Sequence, residues 1–301
     1  MSTQITTAFV EQYKANVNHL TQQKGSRLRR AVDTEMITGR TAYFEQLGPT
    51  TARRRTSRHA DTPRMDTPHA RRRVAVNDYD WADIVDSEDQ VRLLIDPTSK
   101  YAEAASMAMG RAMDDEIIAA ADAVAFTGVD GSTSTAYDTN MTVGVQIRWP
   151  NVTAANYGLN VAKLVAAAAK LATGNVDPDD EKWCIVNAAQ VQSLLQDVRV
   201  VSRDYNMIQP LVTGQIVQYA GFNIISTERI GVDGSNNHKV LYWAKNGMKL
   251  ALGRDIITKI AERPDKNHAM QVFAAMTVGS TRMEEARVGI ITCDPTGGPG
   301  G

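Results

Sequence analysis

The sequence is short of cysteine, of long apolar runs and of net charge, and each shortage narrows what the protein does. Cys184 and Cys293 are its only cysteines among 301 residues. Two thiols build no disulfide framework, which fits a protein assembled in a reducing compartment. Cys184 sits in the run Trp183-Cys184-Ile185-Val186 and reads as a buried strand residue. No run of about 18 apolar residues occurs, so no helical membrane span is expected. Met1 to Val10 has neither a basic flank nor an apolar centre and does not read as a signal peptide. Lys and Arg number 33 against 34 Asp and Glu. A balance so close to zero gives the whole chain no nucleic-acid or membrane signature.

Catalytic signatures are missing too. There is no glycine-rich phosphate loop ending in Lys-Ser/Thr, no zinc-protease helix and no nucleophile elbow. His19, His59, His69, His238 and His268 are scattered, with no cysteine or carboxylate at ligand spacing, and read as surface histidines. The neighbours Asp114, Asp115 and Glu116 lie in a helical stretch. Adjacent helical residues point to different sides, so these carboxylates are poor acid–base partners and read as a solvated face. Glu284-Glu285 reads likewise, as a turn between strands. No enzymatic activity, cofactor or metal is expected.

What is present is an unusual distribution of charge. The apolar residues Phe9, Val10, Tyr13, Val17 and Leu20 recur at helical spacing, predicting an amphipathic helix over Ala8 to Gln23 that needs a partner surface. A strand-like stretch from Arg40 to Leu47 then runs into Gly48-Pro49. A polar segment follows with Arg53, Arg54, Arg55, Arg58, Arg64, Arg71, Arg72 and Arg73 against only Asp61 and Asp66. Val74 and Val76 resume an alternating pattern towards Tyr79 and Trp81. Two strand-like arms around a proline-bearing, arginine-rich tip with nothing apolar to bury predict a long projecting hairpin. Loops of this length are commonly functional. The sign of the charge then reverses at Asp78, Asp80, Asp83 and Asp86. Arg53, Arg54, Arg55, Arg71, Arg72 and Arg73 on one copy could meet those aspartates on another. Two solvated charge runs, or phosphate contacts by the arginines, account for the same pattern.

Asp96-Pro97 opens the strongest helix, with aspartate suited to the N-cap and proline to the first turn. Between Thr98 and Phe126 there is no proline and one glycine. Ala102, Ala105, Met109, Ala112, Met113, Ile117, Ala120 and Val124 form one small-residue face, on a helix of about 40 Å. Beyond it, Gly128-Val129-Asp130-Gly131-Ser132 recurs as Gly231-Val232-Asp233-Gly234-Ser235, and both read as Asp-Gly turns. A helix over Ala154 to Thr173, a strand at Trp183 to Val186, a short helix capped by Asn187, a hairpin around Ala220-Gly221 and a strand at Val240 to Ala244 predict an α+β domain. Met248 to Leu252, Ile256 to Ala261, Met270 to Gly279 and Val288 to Thr292 are late strands that must pair with earlier elements. The Gly/Pro-rich end from Thr296 is expected to be disordered.

This order of parts resembles the Hong Kong 97-like fold of tailed-bacteriophage major capsid proteins. The segment from Asp78-Tyr79-Asp80-Trp81 through Asp96-Pro97-Thr98-Ser99-Lys100-Tyr101 to Ala121 is similar to such proteins. The resemblance implies an N-terminal arm (1–39), an extended β-hairpin or E-loop (40–85) lying over a neighbouring subunit, and a peripheral domain (86–150) with a spine helix (97–126). It further implies an axial domain (151–247) meeting its copies at five-fold and six-fold centres, return strands of the peripheral domain (248–293) and a tail (294–301). The implied function is a self-assembling subunit of an icosahedral virion shell around double-stranded DNA, assembled in the host bacterial cytoplasm. Implied partners are its own copies in pentamers and hexamers, a separate scaffolding protein, a portal, a decoration protein and DNA held by non-specific contact. In the family's type member a hairpin lysine links covalently to a neighbour, but Thr41 to Ile95 contains no lysine. An encapsulin-like compartment shell and a nucleic-acid-binding protein using the arginine tip are the alternatives.

Overall fold

The computed structural model describes residues 22–58, 61–62, 64–85, 98–149, 155–197, 200 and 218–298. The helix expected over Ala8 to Gln23 lies almost wholly outside them, as do Asp86 and Pro97. After a 3-10 turn at Arg29–Ala31, the chain forms β1 (Asp33–Met36), β2 (Thr41–Leu47), β3 (His69–Ala75) and β4 (Asn77–Val85). The long helix α1 (Thr98–Asp122) follows, then β5 (Ala125–Thr127), β6 (Thr133–Thr135) and β7 (Thr142–Val143). A mixed stretch brings α2 (Val161–Thr173), β8 (Lys182–Val186), α3 (Ala188–Leu195), β9 (Gln218–Tyr219), β10 (Phe222–Ser226) and β11 (His238–Ala244). The strands β12 (Met248–Arg263), β13 (Ala269–Arg282) and β14 (Val288–Cys293) complete an α+β chain.

Three sheets result, in the orders β1-β12-β13-β4, β7-β14-β11-β8-β10-β9 and β2-β3-β5-β6. Contacts divide the chain into two units. One comprises the described residues of Met1–Ser26, Asp78–Met113 and Arg254–Val278; the other comprises those of Arg27–Asn77, Asp114–Gly253 and Gly279–Gly301.

In the first unit the single glycine of α1 has a steric role. A Cβ on Gly110 would lie 2.4 Å from the Gly25 carbonyl carbon, so the backbone at Gly25–Ser26 crosses the helix there. Arg111 secures the crossing by donating to Gln22 Oε1 at 2.9 Å and to the Gln23 carbonyl at 3.2 Å. Along β13, Val272, Ala274 and Met276 are buried at every second position, as a one-sided strand demands.

The second unit is organised around the six-stranded sheet. β8 runs parallel to β10 and antiparallel to β11, which in turn pairs antiparallel with β14. Cys184, Ile185, Leu241, Tyr242, Trp243 and Ile291 are buried, and both cysteines are free thiols. The indole of Trp243 donates to the Ala31 carbonyl at 2.8 Å, and the Tyr242 hydroxyl to the Met141 carbonyl at 2.5 Å. Gly289 leaves room for the Tyr242 ring, which a Cβ would meet at 2.2 Å. Asn187 caps α3 through the Gln190 amide, as its sequence position predicts.

Several boundaries differ from expectation. α1 ends at Asp122, not Phe126, because Ala125–Thr127 leaves the helix to pair with β3. α2 begins at Val161, where the Asn160 side chain caps the Lys163 amide at 2.9 Å, not at Ala154. Met248 to Leu252 and Ile256 to Ala261 are one continuous strand, because Gly253 continues the extended backbone. The late strands do not all join one sheet: β14 lies between β11 and β7 in the six-stranded sheet. The end of the chain is bonded as far as Gly298, against the expectation of disorder from Thr296 onwards. Asp294 Oδ1 accepts from the Thr296 and Gly297 amides, and the Gly158 amide donates to the Gly298 carbonyl.

Candidate assembly interface

β2 and β3 form the expected hairpin, with Thr41 opposite Ala75 and Leu47 opposite His69. It is shorter than expected on its C-terminal side. The Val76 amide closes it by donating to the Arg40 carbonyl at 3.1 Å, and β4 belongs to a different sheet. The arginine-rich stretch therefore divides. Arg71, Arg72 and Arg73 stand in β3, whereas Arg53, Arg54 and Arg55 stand in the loop beyond Gly48. Every described residue from Pro49 to Ala70 is exposed. Arg55 folds back onto the carbonyls of Ser57 and Arg58, while Arg53 and Arg54 have no ion-pair or hydrogen-bond partner among the described residues.

Strand alternation then decides which arginine faces where. Residues two apart share a face, so Arg72 shares the inner face with Val74, opposite Phe44. Phe44, Val74, Val76 and Ala251 form a small core there. Arg72 is 5% exposed. Its Nη2 donates to both Glu285 oxygens at 2.5 and 2.6 Å, and its Nε to the Met283 carbonyl at 2.8 Å. The expectation that Arg72 belongs to an inter-subunit surface is corrected: the group is buried and paired within its own chain. Arg71 and Arg73 are on the opposite face. Arg71 pairs with Glu45 at 2.7 Å, and Arg73 lies over the Phe126 ring at 4.6 Å. Tyr43 and Leu47 share that outer face and are exposed.

The acidic run occupies β4, the edge strand of its sheet. Asp78, Asp80 and Asp83 are all exposed, and Asp78 accepts from the Thr277 hydroxyl at 2.6 Å. Alternation puts Asp78 and Asp80 on one face and Asp83 on the other. Among the described residues, no group of three or more His, Cys, Asp or Glu is arranged to hold a metal, and no helix is long and apolar enough to cross a membrane.

A family model of phage capsid proteins matches residues 5–295. The chain belongs to the phage capsid protein family. Its fold is that of tailed-phage capsids. The capsid of cyanophage P-SCSP1u is similar at 14% identity over 95% of this chain and 94% of the other, with a TM-score of 0.71. The Ralstonia phage GP4 capsid is similar at 10% identity over 94% and 95%, TM-score 0.68. The cyanophage Pam1 capsid is similar at 13% identity over 97% and 98%, TM-score 0.67. No curated protein matches the chain. The mixed α+β architecture is thus the Hong Kong 97-like one, and the protein is a capsid subunit of the virion shell.

Several structural residues of this capsid protein escape sequence reasoning. Arg282 is fully buried and donates to the carbonyls of Ala121 and Ala123, both at 2.9 Å, with its Nε 3.7 Å from Glu285. Burial pushes its guanidinium below the usual range. Glu285 is therefore shared by two buried arginines and is not a solvated turn residue. Asp114 is fully buried as well, and accepts from the Arg27 and Leu28 amides at 3.0 and 3.1 Å. Only Asp115 keeps the exposed role foreseen for the acidic cluster, and Glu116 is half-buried; Asp115 pairs with Arg229 and Glu116 accepts from Asn77. Lys163, in the apolar helix α2, is buried and donates to the Tyr157 and Thr292 carbonyls at 2.6 and 2.9 Å. Burial lowers its pKa. The two Asp-Gly turns behave as expected: Asp130 accepts from Ser132, and Asp233 from Ser235 and Asn237.

Proposed function

We propose that this capsid subunit docks its arginine-bearing loop, residues 48–68, onto the acidic edge strand of a neighbouring copy. Arg53, Arg54 and Arg55, with Arg71 and Arg73 on the outer face of the hairpin, supply the cations. Asp78, Asp80 and Asp83 supply the anions, and Asp86 continues the run in sequence. One observation carries the reading: about twenty residues from Pro49 to Ala70 are exposed wherever described and bury nothing within their own chain. A polar loop of that length pays its ordering entropy only when a partner surface is present. A single exposed pair contributes about 0–1 kcal/mol, but the contact repeats at every subunit of a closed shell, and linked weak contacts act together.

The shell on this reading is icosahedral and built of pentamers and hexamers around double-stranded DNA. Assembly takes place in the host cytoplasm with a separate scaffolding protein and a portal. The test replaces Arg53, Arg54, Arg55, Arg71 and Arg73 together by glutamine, leaving Arg72 in place. Empty-shell assembly, followed by light scattering and negative-stain microscopy, should fail or give fragile particles, and moderate salt should weaken wild-type shells in the same direction. Empty shells of normal stability that retain the genome poorly would instead assign the arginines to phosphate contact.

A further inference from the structure

The outer part of β12 is exposed to a degree unusual for a strand in a sheet. Gly253, Arg254 and every residue from Ile257 to Glu262 are exposed, with Ile257 at 42% and Ile260 at 46%. Both faces of the strand are open along this stretch. Among the described residues one edge is open as well. β1 is the neighbour of β12 on that side, and it pairs only with Lys249–Leu252; the Ile37 amide makes the last bond, to the Leu252 carbonyl. Among the described residues no strand continues that pairing beyond Leu252. A free edge bearing exposed isoleucines is a template for another strand.

The residue order along this edge says which strand fits. Read antiparallel about Thr258, the sequence Arg254 to Glu262 is complementary to itself. Arg254 falls opposite Glu262, Ile256 opposite Ile260, and Thr258 opposite Thr258. These residues all share one face, since they are two apart. The resulting ladder runs Arg–Glu, Ile–Ile, Thr–Thr, Ile–Ile, Glu–Arg, each rung a favourable cross-strand pair. On the other face Lys259 meets Ile257, so its aliphatic stem covers the isoleucine and no like charges are opposed. Shifting the register by one residue would set Arg254 against Arg263 and Asp255 against Glu262. The pattern therefore favours one register over its neighbour. Glu262 already touches His268 Nδ1 at 2.6 Å, which leaves its second carboxylate oxygen for a guanidinium.

We propose that β12 of one subunit pairs antiparallel with β12 of a second copy across a two-fold axis, through Arg254 to Glu262. Such an interface is isologous: each residue meets the partner that its own counterpart meets in return. Two nine-residue edges bury little area, so the pairing forms in the assembled shell, where many copies of it act together. It involves neither the arginine loop nor β4, and it stands or falls apart from the docking of that loop.

Thr258→Cys tests the register directly in assembled shells. The two introduced thiols face one another in the proposed pairing, and the natural thiols Cys184 and Cys293 are buried and silent. Mild oxidation should convert most of the T258C chain to a dimer on a non-reducing gel. Arg254→Cys should remain monomeric, because its counterpart lies about 27 Å away along the strand. Shells of T258C that assemble and give no dimer overturn the proposal, as does equal cross-linking of R254C. If T258C does not assemble, charge exchange decides. Arg254→Glu and Glu262→Arg should each impair assembly alone, and the double variant should restore it because an isologous pair keeps its complementarity. A double variant no better than either single one also overturns the proposal.

Discussion

Replacing Glu285 by glutamine removes a carboxylate that two buried guanidinium groups share. Arg72 reaches both of its oxygens at 2.5 and 2.6 Å with a side chain 6% exposed, and Arg282 stands 3.7 Å away with none of its side chain exposed. In the E285Q chain the two arginines face each other without the carboxylate they share. Removing one member of a buried ion pair costs about 3–5 kcal/mol, because the remaining charge keeps its desolvation penalty. Glu285 retains a quarter of its side chain in solvent, 25%, which sets the expectation at the lower end, about 3 kcal/mol. For a folding unit of 150–250 residues that corresponds to a fall of roughly 6–12 °C in Tm. Scanning calorimetry on the dilute, unassembled subunit measures it. Arg72→Met should cost less, since its stem still covers Phe44 and Val74 and Glu285 still faces Arg282. An E285Q chain melting within about 1 °C of wild type would refute the reasoning and show that solvent screens the cluster.

Gly110→Ala should destabilise the subunit in thermal melts, although alanine favours an exposed helix interior over glycine by about 1 kcal/mol. The added Cβ would stand 2.4 Å from the Gly25 backbone, which cannot yield as a side-chain tip can. Mature particles boiled in reducing detergent should run as a single monomer band, because the hairpin carries no lysine and both cysteines are buried; a ladder of higher species would contradict this. Stability should fall as pH rises from about 9 to about 11. Burial raises the Cys293 thiol to about 11 and the Cys184 thiol further, so the native chain keeps protons that the unfolded chain has lost. Lys163 opposes this, since its lowered pKa favours the native state as pH rises. Cys184→Ala and Cys293→Ala should each flatten the decline in alkaline melts, and an unchanged slope would rule the thiols out.

Local rules were legible wherever one chain segment settles its own conformation. Asn187 as a cap, the two Asp-Gly turns, the helix from Thr98 and the buried strand at Cys184 follow from side chains bonding or packing within a few residues of themselves. The exposed arginine loop was legible for the complementary reason, that it holds almost nothing apolar to bury, Met65 being its one large apolar side chain. Even the inward turn of Arg72 was within reach: it stands two residues before Val74, and the alternation visible at Val74 and Val76 extends back one step to place it inside.

What only the tertiary structure decided are the partners of charges that meet across long sequence separations. Asp114 reads as solvated until the Arg27 and Leu28 amides are brought to it from 87 and 86 residues away. Glu285 reads as an exposed turn until the β2–β3 hairpin delivers Arg72 from 213 residues away. Lys163 stands in an otherwise apolar helix, and one carbonyl that receives its ammonium group, that of Thr292, lies 129 residues on. The same holds for strand order, since β14 is buried on both faces, as β11 is, and only its pairing with β11 and β7 shows which sheet it completes. Periodicity says that a residue must be buried or paired. Which group buries or pairs it depends on chain segments that come together only when the hydrophobic faces of distant elements share one core.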